Sequence, residues 1–209
     1  MMRGKFITFE GCEGSGKSTK LKMLENELKT RGVSYLYTRE PGGTPVSEQI
    51  RKVILDPENE EMTPACEALL YAAARVQLLH DVIGPALADG KLVVCDRYID
   101  SSLAYQGEAR GLGQEFIRQI NAYAIENFLP DCTIFLDFPP ERSFTRKHGA
   151  DKNDRIEKES LEFHQRVYRG YLKIAETEPD RFFRVDASGT KQETFDKVME
   201  LLKRKKILE

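Results

Sequence analysis

The chain runs from an apolar stretch, Phe6-Ile7-Thr8-Phe9, straight into Gly11-Cys12-Glu13-Gly14-Ser15-Gly16-Lys17-Ser18, which spells G-x-x-x-x-G-K-S. A buried strand that turns through glycines into a helix aims several backbone N–H groups at one point. There, together with the helix dipole, they can hold phosphate oxygens. In such a loop Lys17 is expected to reach the β- and γ-phosphates and Ser18 a magnesium ion, with Thr19 completing the cradle. The plainer alternative, a merely flexible glycine turn, is argued against by the flanking strand and helix patterns.

Four more short apolar or β-branched runs follow: Tyr35 to Thr38, Leu92 to Cys95, Thr133 to Leu136 and Phe182 to Val185. Helical patterns separate them. Lys17 to Thr30 puts Leu21, Leu24 and Leu28 on one face and ends at Arg31-Gly32. Pro45 to Leu55 reads as a second helix. Thr63-Pro64 reads as an N-cap with proline at the first helical position of a third, which runs to Ile83 and bends at Gly84-Pro85 before Ala88. Further helices are expected over Gln114 to Phe128, Pro140 to Lys147, Glu157 to Glu176 and Thr190 to Lys206. This alternation predicts an α/β fold: a three-layer P-loop sandwich, with a five-stranded parallel sheet flanked by helices. The polar run Lys147-His148-Gly149-Ala150-Asp151-Lys152-Asn153-Asp154 has little to bury and reads as part of a short mobile lid at about residues 142–156. The 209 residues suffice for one such domain, residues 1–209.

A net charge of −2 argues against a general nucleic-acid or membrane surface, so phosphate-binding charge must be local. No apolar run approaches the roughly 18 residues of a membrane span. Met1-Met2-Arg3-Gly4-Lys5 leads into a strand rather than a signal-peptide core, which predicts a cytoplasmic protein. Cys12, Cys66, Cys95 and Cys132 show neither C-x-x-C spacing nor clustering with His80, His148 or His164, so they are expected to bind no metal. Cys95 and Cys132 lie in strand-like runs and read as buried thiols.

Ligand sites in parallel sheets lie beyond the carboxyl ends of the strands. The segments there are Glu10 onward, Arg39-Glu40-Pro41-Gly42-Gly43-Thr44, and Asp96-Arg97-Tyr98. A phosphate cradle alone leaves GTPases, motor ATPases and small-molecule kinases open. No N-K-x-D guanine reader is present, and the D-x-x-G of Asp186-Ala187-Ser188-Gly189 falls too late for a switch region. Phosphoryl transfer needs cations around donor and acceptor. Arg39, Arg51, Arg75 and Arg97 come from four separate segments, while Arg142, Arg146, Lys147, Lys152 and Arg155 crowd the lid. Asp96, at a strand end, is placed to orient a magnesium-bound water.

From Lys5 to the end the chain resembles the bacterial thymidylate kinases. The segments that carry the resemblance are Phe9 to Thr19, Thr38-Arg39-Glu40-Pro41-Gly42-Gly43-Thr44, Tyr71-Ala72-Ala73-Ala74-Arg75-Val76-Gln77, Asp96 to Gly107, and Asp154-Arg155-Ile156-Glu157. The resemblance implies transfer of the ATP γ-phosphoryl group to dTMP, giving dTDP and ADP with Mg2+, in dTTP synthesis. By similarity, Arg51 and Arg97 hold the acceptor 5′-phosphate. Tyr71 stacks on thymine and Arg75 donates to a thymine carbonyl. Ser102 and Gln106 complete the base and sugar contacts, with Glu40 and Pro41 beside them. Tyr105 crowds the 2′ position, and Glu13 lies near the 3′-hydroxyl or the metal. The Glu40-Pro41 bond is cis by the same resemblance, the Asp186-Ala187-Ser188 loop lies against the donor adenine, and the assembly is a homodimer.

Two features set this chain apart within that resemblance. Its P-loop lacks arginine, so the catalytic cation is expected from the lid, with Arg146 and Arg155 as candidates beside Lys17 and Arg97. Ala74 stands where relatives often carry a hydroxyl residue, and thymine is then expected to be preferred over uracil rather than uracil excluded. Two rivals remain open on sequence: a kinase for AMP, CMP or GMP, and a regulatory module that holds ATP without turnover.

Overall fold

The computed structural model describes residues 3–146 and 154–208, with side chains for all of these but residues 144–146. β1 (Phe6–Glu10) is buried along its whole length because helices cover the sheet on both faces. It occupies the centre of a five-stranded, all-parallel sheet with β2 (Tyr35–Arg39), β3 (Leu92–Asp96), β4 (Cys132–Asp137) and β5 (Phe182–Asp186), in the order β2-β3-β1-β4-β5. The register pairs Phe9 with Asp96 on one side and with Ile134 on the other. The ends of β1 and β3, from which the phosphate loop and the Asp96-Arg97 turn depart, thus lie side by side.

Alternate strand residues feed two cores. Phe6, Val93, Cys95, Phe135 and Phe182 pack with Leu78, Leu103, Phe163, Val167 and Tyr171, which belong to α3 (Pro64–Leu78), to the helical stretch after α5 (Ile99–Ser102) and to α9 (Leu161–Thr177). Ile7, Phe9, Val94, Ile134 and Leu136 pack on the opposite face with Leu21, Leu24 and Leu28 of α1 (Lys17–Thr30) and with Val198 and Leu202 of α10 (Lys191–Arg204). Each such side chain, removed from water, contributes about 1.5–3 kcal/mol. The remaining helices are α2 (Pro45–Leu55), α4 (Gly84–Ala88), α6 (Gln114–Ile120), α7 (Ala122–Phe128) and α8 (Pro140–Arg146).

All five expected strands form, and α1 and α2 have the expected limits. Thr63 caps α3, accepting from the Cys66 N–H at 3.3 Å. The expected bend at Gly84-Pro85 falls where a π-helical stretch, Leu79–Ile83, hands over to α4, a register shift that accommodates a proline without an N–H. Three expectations are corrected. The single helix over Gln114 to Phe128 is two, because Asn121 leaves helical geometry (φ −113, ψ 16), its side chain donating to the Ile117 carbonyl and accepting from Arg75. The helix expected from Glu157 starts at Leu161, capped by Ser160. Ile99 to Ala109, where no helix was expected, is helical, with α5 running into a π-helical stretch, Leu103–Ala109. Cys12, Cys95 and Cys132 are buried free thiols and Cys66 is exposed. Among the described residues no three His, Cys, Asp or Glu gather as a metal site, and no helix is long and apolar enough to cross a membrane. The stretch Lys147 to Asn153 lies outside the described residues.

Glu10 closes β1 with no exposure to water. Its carboxylate accepts from the Tyr98 N–H (2.8 Å), the Ser101 N–H (3.3 Å) and Oγ (2.6 Å), and the Tyr171 hydroxyl (2.8 Å), tying β1 to the turn after β3 and to α9. Burial, reinforced by Asp100, pushes its pKa from 4.5 up to about 7 despite nearby Arg97. The folded state therefore binds more protons than the unfolded chain between these values, so this group's contribution to stability is full at acid pH and is lost as pH rises to about 7. Glu10→Gln removes the titration. Urea unfolding at about pH 5 and about pH 8 should show wild type losing up to about 3 kcal/mol relative to the variant. A wild-type-minus-variant difference that does not move with pH would contradict this assignment.

Candidate active site

The first turn of α1 begins at Gly16, which adopts φ 89 and supplies no side-chain cap, and the turn carries no acidic residue. Its N–H groups are thus left for an anion at the positive end of the helix dipole. Gly14 (φ 73) also needs its missing side chain, since a Cβ there would sit 2.9 Å from the Ser143 Cβ of α8. The loop Gly11-Cys12-Glu13-Gly14-Ser15-Gly16 is therefore wedged between β1 and α8. The Ser15 N–H closes it by donating to the Cys12 carbonyl at 3.2 Å. Lys17 folds back to donate to the Gly11 carbonyl at 3.3 Å, and Thr19 sits in the same helical turn. Burial, with the Arg97 charge second, lowers the Lys17 pKa; a phosphate anion beside it acts the opposite way and favours the charged ammonium.

Lys17 and Ser18 open onto a cleft that is also lined by Glu13, Asp96 and Arg97, by Glu40, Tyr71, Arg75, Ser102 and Gln106, and by Pro41, Arg51 and Tyr105. These side chains come from β1's loop, the ends of β2 and β3, α2, α3 and the helical stretch after β3. Asp96 Oδ1 is buried without a hydrogen-bond partner among the described residues. An orphaned carboxylate oxygen beside Ser18 and Lys17 fits a Mg2+ that takes most of its ligands from triphosphate and water.

Arg97 occupies the left-handed region (φ 68), which turns its side chain back over the sheet edge. Its guanidinium donates to Glu13 Oε1 (3.0 Å), Ser101 Oγ (3.2 Å) and the Tyr171 hydroxyl (3.3 Å) and lies 5.1 Å from the centre of the Tyr105 ring. Ser101 and Tyr171 also donate to Glu10, so the carboxylate under the sheet edge orients the arginine above it. The Glu40-Pro41 bond is cis, and the Pro41 carbonyl that follows it accepts from two arginines: Arg51 Nη1 at 2.9 Å and Arg39 Nη1 at 2.8 Å. Arg39 is further held by both oxygens of Glu48.

Arg75 is wholly buried, as is Glu40. It donates through Nε to Glu40 Oε2 (2.9 Å), through Nη1 to Asn121 Oδ1 (2.5 Å) and through Nη2 to Ser102 Oγ (3.0 Å). Guanidinium carries five N–H bonds, so donors remain for a ligand carbonyl. Tyr71 lies one turn before Arg75 on α3, and burial, with Glu67 second, raises its pKa and keeps the phenol neutral. Ala74 does not line the cleft; its carbonyl accepts from Ser47 Oγ at 2.8 Å.

Two expectations from the lid fare differently. Arg146 ends α8, one turn beyond the Ser143 that packs on Gly14. Arg155, expected beside the transferring phosphate, does not line the cleft: its guanidinium is bound to Glu67 and to the Ile54 carbonyl (3.1 Å), because a buried carboxylate and the carbonyl end of α2 draw it the other way. Lys147 and Lys152 lie outside the described residues. The Asp186-Ala187-Ser188 loop is absent from the cleft lining, with Asp186 paired to Lys197 at 2.8 Å.

Sequence reading missed Glu10, Tyr98, Ser101 and Tyr171 as supports of the site and Asp154, Ile156 and Glu157 as parts of its wall, whereas Arg39, expected among the cations there, does line it. Asp154, Ile156 and Glu157 flank Arg155 in a motif already noticed. Glu10 and Tyr171 give no local signal, because their partners are distant in the chain.

The model of the family described as thymidylate kinase matches residues 9–198. The chain is 46% identical to the thymidylate kinase of Lactobacillus helveticus over 98% of both proteins. It is 47% identical to that of Shouchella clausii over 98% of this chain and 97% of that protein, and 52% identical to that of Symbiobacterium thermophilum over 90% and 87%. With a family model spanning nearly all of the fold and relatives about half identical from end to end, the chain belongs to the thymidylate kinase family.

Proposed function

We infer that this cleft passes the γ-phosphoryl group of ATP to dTMP, giving dTDP and ADP in dTTP synthesis. The observation that supports this siting is that Lys17 and Ser18 share one cleft with Arg51, Tyr71, Arg75 and Arg97. A phosphate cradle and a base-sized pocket so arranged bring donor and acceptor face to face. A resident binder of ATP alone has no use for the second half.

The acceptor phosphate lies between Arg51 and Arg97, which neutralise it so that its oxygen can approach the γ-phosphorus. That oxygen forms the new P–O bond while the bond to the β–γ bridging oxygen breaks, and the electron pair leaves with ADP. Lys17 and the N–H groups of the loop hold the donor's phosphates during the transfer. Glu13, bound to Arg97, is released toward the sugar 3′-hydroxyl or the metal as phosphate takes its place on the guanidinium. Mg2+, held by Ser18 and through water by Asp96, would neutralise charge on the donor's β- and γ-oxygens. At the other end Tyr71 stacks on the base, Arg75 donates to a carbonyl, Ser102 and Gln106 read the edge, and Tyr105 excludes a 2′-hydroxyl. Glu40 and Pro41 hold Arg75 and Arg51 in place.

With an arginine-free P-loop, the transition-state cation must come from elsewhere. Arg146 is the residue we assign to it, since its helix is packed against Gly14. The homodimer implied by the family is assigned to α2 and α3, where Val46, Val53, Leu69 and Val76 are each 42–52% exposed and recur at seven-residue spacing. Among the described residues, this pair of helices supplies four of the exposed large apolar side chains. Cytoplasmic location accords with the negative net charge and the absence of a membrane-spanning helix among the described residues.

An ADP-release assay over dTMP, dUMP, dCMP, AMP and GMP tests the reading. dTMP should have the highest kcat/KM, with dUMP lower by about 10- to 200-fold, the range that one methyl supports. CMP- or AMP-type acceptors outperforming dTMP tenfold would overturn it. Arg146→Ala should lower kcat by about 10³ or more and leave ATP affinity within a few-fold; equal losses in both would make it a ground-state binder. The double variant Val53→Glu with Leu69→Glu should sediment as a monomer, where wild type sediments as a dimer.

A further inference from the structure

Glu67 lies one turn before Tyr71 on α3, two turns before Arg75, and is wholly buried. No role in the transfer falls to it, yet three side chains donate to it. Gln106 donates through Nε2 to its Oε1 at 2.8 Å. Arg110 donates through Nε to Oε1 (3.3 Å) and through Nη2 to Oε2 (3.2 Å), and Arg155 binds Oε2. Arg155 is itself fixed from behind, its backbone N–H on the Leu55 carbonyl (3.1 Å) and its Nε on the Ile54 carbonyl. Three side chains thus donate to this one buried carboxylate, and a carboxylate can only accept.

That last point decides the orientation of Gln106. Its amide lies between Glu67 and the cleft, and only the NH₂ end can face Glu67. The carbonyl oxygen Oε1 must then be what Gln106 presents to a ligand. Thymine offers an N3–H donor between two carbonyl acceptors. Cytosine offers an N3 lone pair beside an amino group. A fixed acceptor in the same cleft as the Arg75 donor therefore matches the thymine edge and sets two lone pairs against each other with cytosine.

We propose that Glu67 is a positioning residue for base selectivity: with Arg110 and Arg155 as its counterions, it locks the Gln106 amide so that Oε1 faces the acceptor base and selects an N3–H donor. The proposal rests on the reading of the cleft given above and assigns Arg155 to this buried cluster rather than to the transferring phosphate. It also connects the chain just after residue 153 with the base pocket, through a shared carboxylate rather than through the nucleotide.

The test measures kcat, KM and calorimetric Kd for dTMP and dCMP on wild type, Glu67→Gln, Gln106→Leu and the double variant. Glu67→Gln introduces an amide that can donate or accept, so the Gln106 amide is free to turn over. Selectivity for dTMP over dCMP should fall at least tenfold, in KM and Kd, with kcat for dTMP within a few-fold. In the Gln106→Leu background the same change should leave selectivity where it is, since the two act as a unit. Arg155→Lys, which keeps a charge near Glu67, should retain most of the selectivity. Equal losses for both substrates in Glu67→Gln, or selectivity that survives it, would overturn the proposal. If Glu67→Gln does not fold, Glu67→Asp, which keeps the charge but draws it back from Gln106, is read by the same ratio. A wild type that does not prefer dTMP would instead sink the reading of the cleft itself.

Discussion

The site hangs on a carboxylate at the end of the central strand. Glu10 stands where β1 stops, fully buried, and its oxygens are taken up by the backbone of Tyr98 and Ser101 and by the hydroxyls of Ser101 and Tyr171. These contacts fasten the turn after β3 to the strand that carries the phosphate loop. The same two hydroxyls then hold Arg97, whose left-handed backbone would otherwise have little to oppose its strain. Burying an acid in this way is costly, and the upward shift of its pKa records that cost. What the fold gains is a rigid spacing between the donor-phosphate cradle and the acceptor-phosphate arginine.

The cleft shows how a chain of net charge −2 can gather Lys17, Arg39, Arg51, Arg75 and Arg97 in one place, with carboxylates set among them. Arg97, Arg39, Arg75 and Arg155 are held by carboxylates from other segments, Glu13, Glu48, Glu40 and Glu67 respectively, and Arg51 by the Pro41 carbonyl. Buried pairs of this kind add little net stability, because desolvation consumes most of the Coulombic gain. Their value lies in geometry. Arg97–Glu13 is partly open to solvent and can exchange its anion for a phosphate. Arg75–Glu40 and Arg155–Glu67 are closed off, so those carboxylates fix a donor direction instead of waiting to be displaced.

Much of this was legible in the residues. Strand–glycine–helix order places the phosphate cradle, and the alternation of apolar runs with helical patterns yields all five strands in a parallel sheet. Arginines after separate strands point to one cleft because strand ends converge at one edge. The breaks in pattern were less legible. Asn121 splits a helix because Arg75, from another segment, draws its side chain. Ile99 to Ala109, to which no helix was assigned from sequence, is helical, and α9 packs closely over it: a Cβ at Gly170 would stand 2.9 Å from the Ala104 Cα.

The sequence by itself determined the elements whose causes are local: the glycine loop with positive φ, the capped and proline-started helices, the apolar strands and the family they spell. Only the tertiary structure decided which charges meet. Arg155 reads in sequence like any other lid cation, yet it is taken by Glu67, eighty-eight positions away. Glu10 finds Tyr171 across most of the chain. An ion pair or a buried acid depends on what water is excluded and which partner is left, and neither quantity exists until the sheet and its helices have closed around it.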